Sequence, residues 1–371
     1  IASCLVGSEM CIRDSNEAEQ IGMVIETMPN FVDRIIIVND CSKDGMAKIV
    51  EDHIQKSAYN TSGIQVTDST KEEFKLDKYN YLFADKVIHD QNIVEKSLFN
   101  PSEIQNKNTK SDRIILINHT INGGVGAAIS TGYKWCKDHN IDCTAVMAGD
   151  GQMDPGELEG LCLPVINEDV DYVKGNRLKH ESSWLVIPKT RFFGNSALSM
   201  MNKLASGYWN ISDTQTGYTA ISKRALNKIQ IHKIYKSYGM PNDLLVKLNI
   251  ADCTIRELTI KPVYNIGEES KMKVLKVIPT VSFLLIKSFH KRLWIKYFLK
   301  DFHPIFLLYY FSLILGFVQI PYLIKIGKAF IFSEQLNHEP LLAFLFLSVF
   351  SFFSFIFAMW MDIQANQKLY K

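Results

Sequence analysis

The sequence predicts a mainly parallel α/β domain followed by a membrane hairpin, on three observations. Short β-branched apolar runs recur, each handing over to a polar, glycine-rich turn and then a helical stretch, the alternation expected of parallel strands joined by crossover helices. Two late runs, 304 to 324 and 340 to 361, contain no Asp, Glu, Lys or Arg, and at about 1.5 Å per residue each matches a hydrocarbon core of roughly 30 Å. The 41 Lys+Arg and 39 Asp+Glu therefore crowd into the remainder, at the density of ordinary globular protein.

Bulk composition removes several function classes. A net charge of +2 gives no electrostatic drive towards nucleic acid. The seven cysteines form no CxxC pair and no close Cys/His cluster, which favours a reduced cytosolic compartment over a disulfide framework or a zinc site.

Along the chain, IIIV at 35 to 38 ends in Asn39 and Asp40 and runs into the turn CSKDG. IILI at 114 to 117 is followed by NHTINGGVGAAISTGYKWC, and CTAVM at 143 to 147 by AGDGQMDP. All three read as buried strands, and ligands of such sheets bind beyond the carboxyl ends of strands, where these polar clusters lie. In the third cluster Asp150, Gln152 and Asp154 alternate with glycines; oxygen ligands on a short loop suit Mg²⁺ or Mn²⁺. Asp154 instead reads as the N-cap of a helix starting at Pro155, whereas Asp150 reads as a metal ligand. In the second cluster Gly124 and Gly126 open a helix whose N–H groups could receive phosphate. A tight turn with close helix packing explains them equally, and Ile129 stands where a dinucleotide fingerprint needs its third glycine. Asp40, Ser42 and Asp44 could pair with a base or ribose, or simply form a turn. Residues 54 to 111 read as a polar surface insertion.

Between domain and hairpin lies VIPTVSFLLIKSFHKRLWIKYFLK. Arg292, Lys296 and Lys300 share a helical stripe while Lys287 and Lys291 point elsewhere, so two short helices meeting near His290 fit better than one. Their expected place is the membrane surface, basic heads towards anionic lipid; packing against the soluble domain is the alternative. These cations outnumber Lys325 and Lys328 of the connecting loop, which Glu334 and Glu339 offset. The positive-inside bias therefore puts the domain and both chain ends in the cytoplasm. Pro321 is expected to end the first span.

Several stretches occur in an order that resembles a known family: NEAEQI at 16 to 21, VNDCSKDG at 38 to 45, NGGVGAAISTGY at 122 to 133, GDGQMDP at 149 to 155, YVKGNRL at 172 to 178, PKTR at 188 to 191 and SDTQTGY at 212 to 218. Together they resemble family 2 inverting glycosyltransferases of the GT-A fold, and within it the dolichyl- and polyprenyl-phosphate sugar synthases. The resemblance covers 16 to 265, leaving 266 to 303 as linker and interfacial helices and 304 to 371 as hairpin and short cytosolic tail. It implies an integral membrane protein of the bacterial inner or plasma membrane that moves a sugar from a UDP- or GDP-sugar to a polyprenyl phosphate in cell envelope glycan synthesis. By the same resemblance Glu17 and Asp40 hold the nucleotide, with Ser42, Asp44, Gly124 and Gly126 close by. Asp150 and Gln152 bind the divalent metal, Arg177 and Arg191 the acceptor phosphate, and Asp213 with Gln215 line the reaction centre. Arginine forks suit such a phosphate, although surface salt bridges would explain Arg177 and Arg191, and a turn would explain Asp213.

Two departures stand out. Where the family often has Asp-x-Asp this chain has Ala148, Gly149 and Asp150. Residues 1 to 15, IASCLVGSEMCIRDS, lack the β-branched run into Pro-x-Tyr that precedes Asn-Glu in the family, and read as a sequence artefact; alternatively 1 to 6 fill the first strand's place. The competing functions are a processive polysaccharide synthase, which lacks its Gln-x-x-Arg-Trp motif here, and a membrane-tethered sugar-nucleotide sensor. A homo-oligomer is compatible with either.

Overall fold

The computed structural model describes residues 2–7, 17–57, 82–187, 189–263, 274–332 and 338–371. In chain order these form β1 (Ala2–Gly7), α1 (Glu17–Glu26), β2 (Arg34–Asn39), α2 (Met46–Ser57), α3 (Phe83–Glu95), β3 (Ser102–Ile104), β4 (Ile114–His119), α4 (Val125–Asp138), β5 (Cys143–Ala148), α5 (Leu158–Asn167) and β6 (Tyr172–Asn176). There follow α6 (Ser183–Val186), α7 (Lys189–Ser206), β7 (Thr219–Ser222), α8 (Lys223–Lys228), α9 (Met240–Ile250), β8 (Ile255–Thr259) and α10 (Val274–Arg292), which passes into a π-helical segment, Leu293–Lys300. The last helices are α11 (Pro304–Val318), α12 (Ile320–Ile331) and α13 (His338–Gln367).

The strands make one sheet in the order β3-β4-β2-β1-β5-β7-β6-β8. β4, β2, β1 and β5 run parallel, as do β6 and β8, while β7 runs antiparallel between β5 and β6 and β3 antiparallel on the β4 edge. The three apolar runs expected as strands are β2, β4 and β5. Every residue of β2 is buried, as a strand covered on both faces requires. Ile36 and Val38 point to a core shared with α4, α8 and α9, and Ile35 and Ile37 to one shared with α1, α2 and α5. The backbone of Ala2–Gly7 takes the central position between β2 and β5, the second of the two readings of that segment; residues 8 to 16 lie outside the described residues. Of the insertion, 58 to 81 lie outside them too. Its later part is more than an excursion, since β3 extends the sheet and Lys134 Nζ of α4 donates to Asn92 O of α3 at 2.9 Å.

The C-terminal region departs from several expectations. Pro321 does not end the first apolar helix but lies in the first turn of α12, where a missing N–H costs nothing; the combined helical stretch is Pro304–Ile331. The short tail begins inside α13, which continues to Gln367, and the chain then meets the sheet edge, Leu369 O accepting from Ile255 N at 2.7 Å and Lys371 N donating to Ile255 O at 3.0 Å. The basic stripe of Arg292 and Lys296 does not face lipid: both are buried against the domain and α13, because an acidic and amide-bearing turn, Asp362 and Asn366, offers them better partners than headgroups. α10 is also one helix through His290 rather than two. Lys287 and Lys291 do stay exposed, beside Phe283, Ile286, Trp294 and Phe298. The two long apolar helices are barely covered by protein, so they are not core helices of the domain.

Candidate active site

The polar residues beyond the strand ends fall into three groups. In the first, β2 delivers Asn39 and Asp40, and Asp40 is sealed from solvent. Its Oδ1 accepts from Gly123 N at 2.8 Å and lies 2.7 Å from His119 Nδ1, and its Oδ2 accepts from Gly124 N at 2.6 Å. Gly126 N donates to Lys236 O at 2.9 Å. The N–H groups of Gly123, Gly124 and Gly126 thus find acceptors inside the protein. Asp40 clamps the glycine turn, and the turn admits the chain at 235 to 236: a Cβ on Gly126 would lie 2.0 Å from Tyr235 O, and Gly124 holds φ +81°. Only glycine fits there. Ser42 N donates to Asn39 Oδ1, and Asp44 Oδ1 accepts from Met46 N at the start of α2. Both residues are half-buried at the rim. Glu17 opens α1, but its side chain lies outside the described residues.

The second group follows β5. Asp150 Oδ1 accepts from Gln152 N at 3.0 Å, and burial raises the carboxyl above its ordinary pKa. The buried Gln152 Nε2 has no partner among the described residues. Asp154 accepts from Gly156 N at 2.8 Å as the N-cap of the 3-10 turn Pro155–Glu157, as expected of it. Among the described residues no three His, Cys, Asp or Glu cluster to hold a metal ion.

The third group joins β6 to the loop before β7. Arg177 Nε donates to Asp213 Oδ2 at 2.9 Å and Nη2 to Oδ1 at 3.2 Å, with the Arg177 backbone N–H adding a third bond at 3.1 Å. The arginine side chain is 23% exposed and the aspartate sealed. Burial pushes the Asp213 carboxyl up, but Arg177 and then Lys174 outweigh it and hold it below the ordinary value. Gln215 Nε2 donates to Asn242 Oδ1 at 3.1 Å, and Asn242 also accepts from Asn202 Nδ2 on α7. α7 begins beside Arg191, whose side chain, like Pro188, lies outside the described residues.

Sequence reasoning missed four residues here. Lys174 is fully buried on β6, donates to Thr216 O at 2.5 Å and is pushed down to about 8 by burial, against the pull of Asp213. Glu257 on β8 accepts from Ser212 N and Asp213 N at 2.7 and 2.9 Å and so fixes the loop. Asn202 and Asn242 tie α7 and α9 to Gln215. A lysine in the middle of a buried strand was the one visible signal; the others depend on tertiary partners.

Residues 100–230 match the family model described as Glycosyl transferase family 2. Over those residues the chain is similar to family 2 glycosyltransferases. Among curated relatives it is 32% identical, over 152 residues, to the UDP-N-acetylglucosamine--dolichyl-phosphate N-acetylglucosaminyltransferase of Methanococcus voltae, a match covering 41% of this chain and 60% of that protein. It is 26% identical, over 155 residues, to an uncharacterized protein of Methanocaldococcus jannaschii, covering 42% of this chain and 63% of the relative. The chain thus spans under two thirds of the length of these relatives. Among solved structures, glucosyl-3-phosphoglycerate synthase from Mycobacterium tuberculosis in complex with Mn²⁺, UDP and glucosyl-3-phosphoglycerate aligns at 12% identity and TM-score 0.44, over 78% of this chain and 79% of that one. Mannosyl-3-phosphoglycerate synthase from Rubrobacter xylanophilus aligns at 13% identity and TM-score 0.43, over 79% and 73%. The fold places Asp150, Asp213, Gln215 and Arg177 of the motifs beyond the ends of β5 and β6 and in the loop entering β7, and holds Asp40 beneath the turn that opens α4.

Proposed function

We propose that this chain is a membrane-bound inverting glycosyltransferase that moves a sugar from a nucleotide-sugar donor, a UDP- or GDP-sugar, to a polyprenyl or dolichyl phosphate. The observation that carries this reading is Arg177, a partly exposed guanidinium fixed by the sealed Asp213, on a domain continuous with two apolar helices long enough to cross a membrane. A fork held in this way suits a phosphate brought by a lipid. The Methanococcus voltae relative, named for a UDP-sugar donor and dolichyl phosphate, supports the same donor and acceptor classes.

Each residue then has a task. Ser42 and Asp44 line the donor side, with Glu17 at the head of α1. Asp150 and Gln152 face the donor diphosphate, the unpartnered Gln152 amide finding an acceptor there. A divalent cation, Mg²⁺ or Mn²⁺, held by Asp150 and that diphosphate would supply charge stabilisation for the departing nucleotide. Arg177, with Arg191 at the start of α7, holds and orients the acceptor phosphate, and Asp213 and Gln215 set the floor of the reaction centre. The phosphate monoester, with a second pKa near ~6, is already largely dianionic at neutral pH and needs alignment more than a strong base. Asp213 is accordingly a positioning carboxylate: sealed, ionised and committed to Arg177. The two apolar helices cross the bilayer with the domain on the cytoplasmic side, bringing the lipid phosphate to the site.

The test is transfer in membranes containing this chain, given polyprenyl phosphate and a panel of labelled UDP- and GDP-sugars. Metal-dependent transfer of one sugar per lipid, with inverted anomeric configuration, is expected. Donor binding without transfer would reject the enzyme reading in favour of a sugar-nucleotide sensor, and polymer formation would favour a processive synthase.

A further inference from the structure

The three cations expected to face lipid have another occupation. Arg292 is fully buried and its donors are all directed inward: Nε to Ala205 O at 2.9 Å, Nη2 to Leu204 O at 3.0 Å and to Asp362 Oδ2 at 2.8 Å, and Nη1 to Asp362 Oδ1 at 2.8 Å and Tyr297 Oη at 3.5 Å. Leu204 and Ala205 lie in the last turn of α7, where helix carbonyls lack intrahelical partners and the dipole favours a cation. Gly207 follows at φ +77°, and a Cβ there would lie 2.6 Å from Arg292 Nη1, so the chain leaves the guanidinium room. One turn on, Lys296 Nζ donates to Asn249 O at 2.9 Å and pairs with Asp252 at 2.8 Å, and Lys300 Nζ donates to Ile250 O at 2.5 Å. Asn249 and Ile250 are the last residues of α9.

The two helices capped in this way are those that carry polar contacts to the candidate site, α7 through Ser199 and Asn202 in its C-terminal half and α9 through Asn242 in its first turn. α7 starts beside Arg191 and ties Ser199 to Thr214 and Asn202 to Asn242; α9 carries Asn242, the partner of Gln215. Asp362, which holds Arg292 bidentately, belongs to the apolar helix α13, and Asn366 on the same helix accepts from Lys296 at 3.0 Å.

The geometry points to Arg292 and Asp362 as positioning residues for acceptor binding: a buried pair that locks the membrane helix to the end of α7 and thereby fixes where Arg191 and the Asp213–Gln215 loop meet the lipid phosphate. This rests on the function proposed above. Uncoupling the pair lets α7 shift relative to the sheet while the donor side, built on β2, β4 and β5, stays in place. The signature is a selective rise in the KM for polyprenyl phosphate, with kcat and donor affinity little changed.

Removing one partner would strand a buried charge and could unfold the chain, so the decisive variant is the double replacement Arg292→Met with Asp362→Leu, since apolar residues of similar volume are tolerated in place of a buried pair. The full-length double variant in nanodiscs is expected to keep nucleotide affinity and raise the acceptor KM on the order of tenfold to a hundredfold. Amide exchange across 189 to 206 should quicken while β2, β4 and β5 keep their protection. Asp362→Glu, which retains the charge, should recover part of the lost affinity. A folded double variant with wild-type acceptor KM, or with unaltered exchange in α7, overturns the inference. If the wild-type chain transfers no sugar to polyprenyl phosphate, the proposed function fails on its own, and exchange in α7 still decides whether the pair holds that helix.

Discussion

At the scale of single residues, the site rests on carboxylates that the protein itself occupies. Asp213 makes no bond that a substrate must break to enter; it spends both oxygens on Arg177 and the surrounding backbone. Asp213→Asn keeps the shape but removes the charge that fixes the fork, and is expected to lower transfer on the order of a hundredfold, read as kcat/KM for the lipid acceptor. The pH dependence separates the groups. Asp213 has its pKa depressed, so its pairing is complete at neutral pH and fails only as pH falls below the usual carboxylate range of about 4. The acid limb of kcat/KM should therefore lie near ~6, set by the acceptor phosphate. Lys174, pushed down to about 8, is charged below that value and neutral above it, so the contact to Thr216 O weakens as pH rises through it. An alkaline limb near that value that disappears in Lys174→Met would confirm its part; an unchanged limb would assign it to another group.

At the scale of elements, the close approach of α4 and the 235 to 236 chain is the sharpest constraint. Gly126→Ala puts a Cβ against Tyr235 O and should cost about 1–3 kcal/mol as overpacking, seen as a lower thermal midpoint. The parallel half of the sheet was legible because β2, β4 and β5 are short β-branched runs that end in polar turns. The antiparallel β7 was not, since its four residues carry too little pattern to show direction, and its place follows from pairing with β5 and β6. The glycines of 123 to 126 were seen, yet their two readings could not be separated without Lys236 and Asp40, partners more than eighty residues away on either side. The collar of lysines and arginine misled for a related reason. A basic stripe on a helix looks alike whether it meets headgroups or carbonyls, and Asp362, its counter-ion, sits at the end of an apolar run where an acid reads as a membrane boundary.

At the scale of the whole molecule, domain and hairpin are joined through Arg292 and Asp362, through Asn249 and Asn366, and, as a third junction, through the pairing of Leu369 and Lys371 with Ile255. The cytoplasmic placement proposed for the domain predicts that, in intact cells, a membrane-impermeant thiol reagent labels Lys328→Cys and spares Lys287→Cys; the reverse pattern would invert the topology. The third junction bears on how the protein is made. The polypeptide leaves the sheet after β8, traverses the apolar helices and returns to the same edge, so the last contact with β8 forms between residues separated by more than a hundred positions. That edge strand stays uncovered during synthesis until α13 and the residues that follow it have emerged and settled. A chain stalled before α13 would present this open sheet edge to whatever strand it meets first.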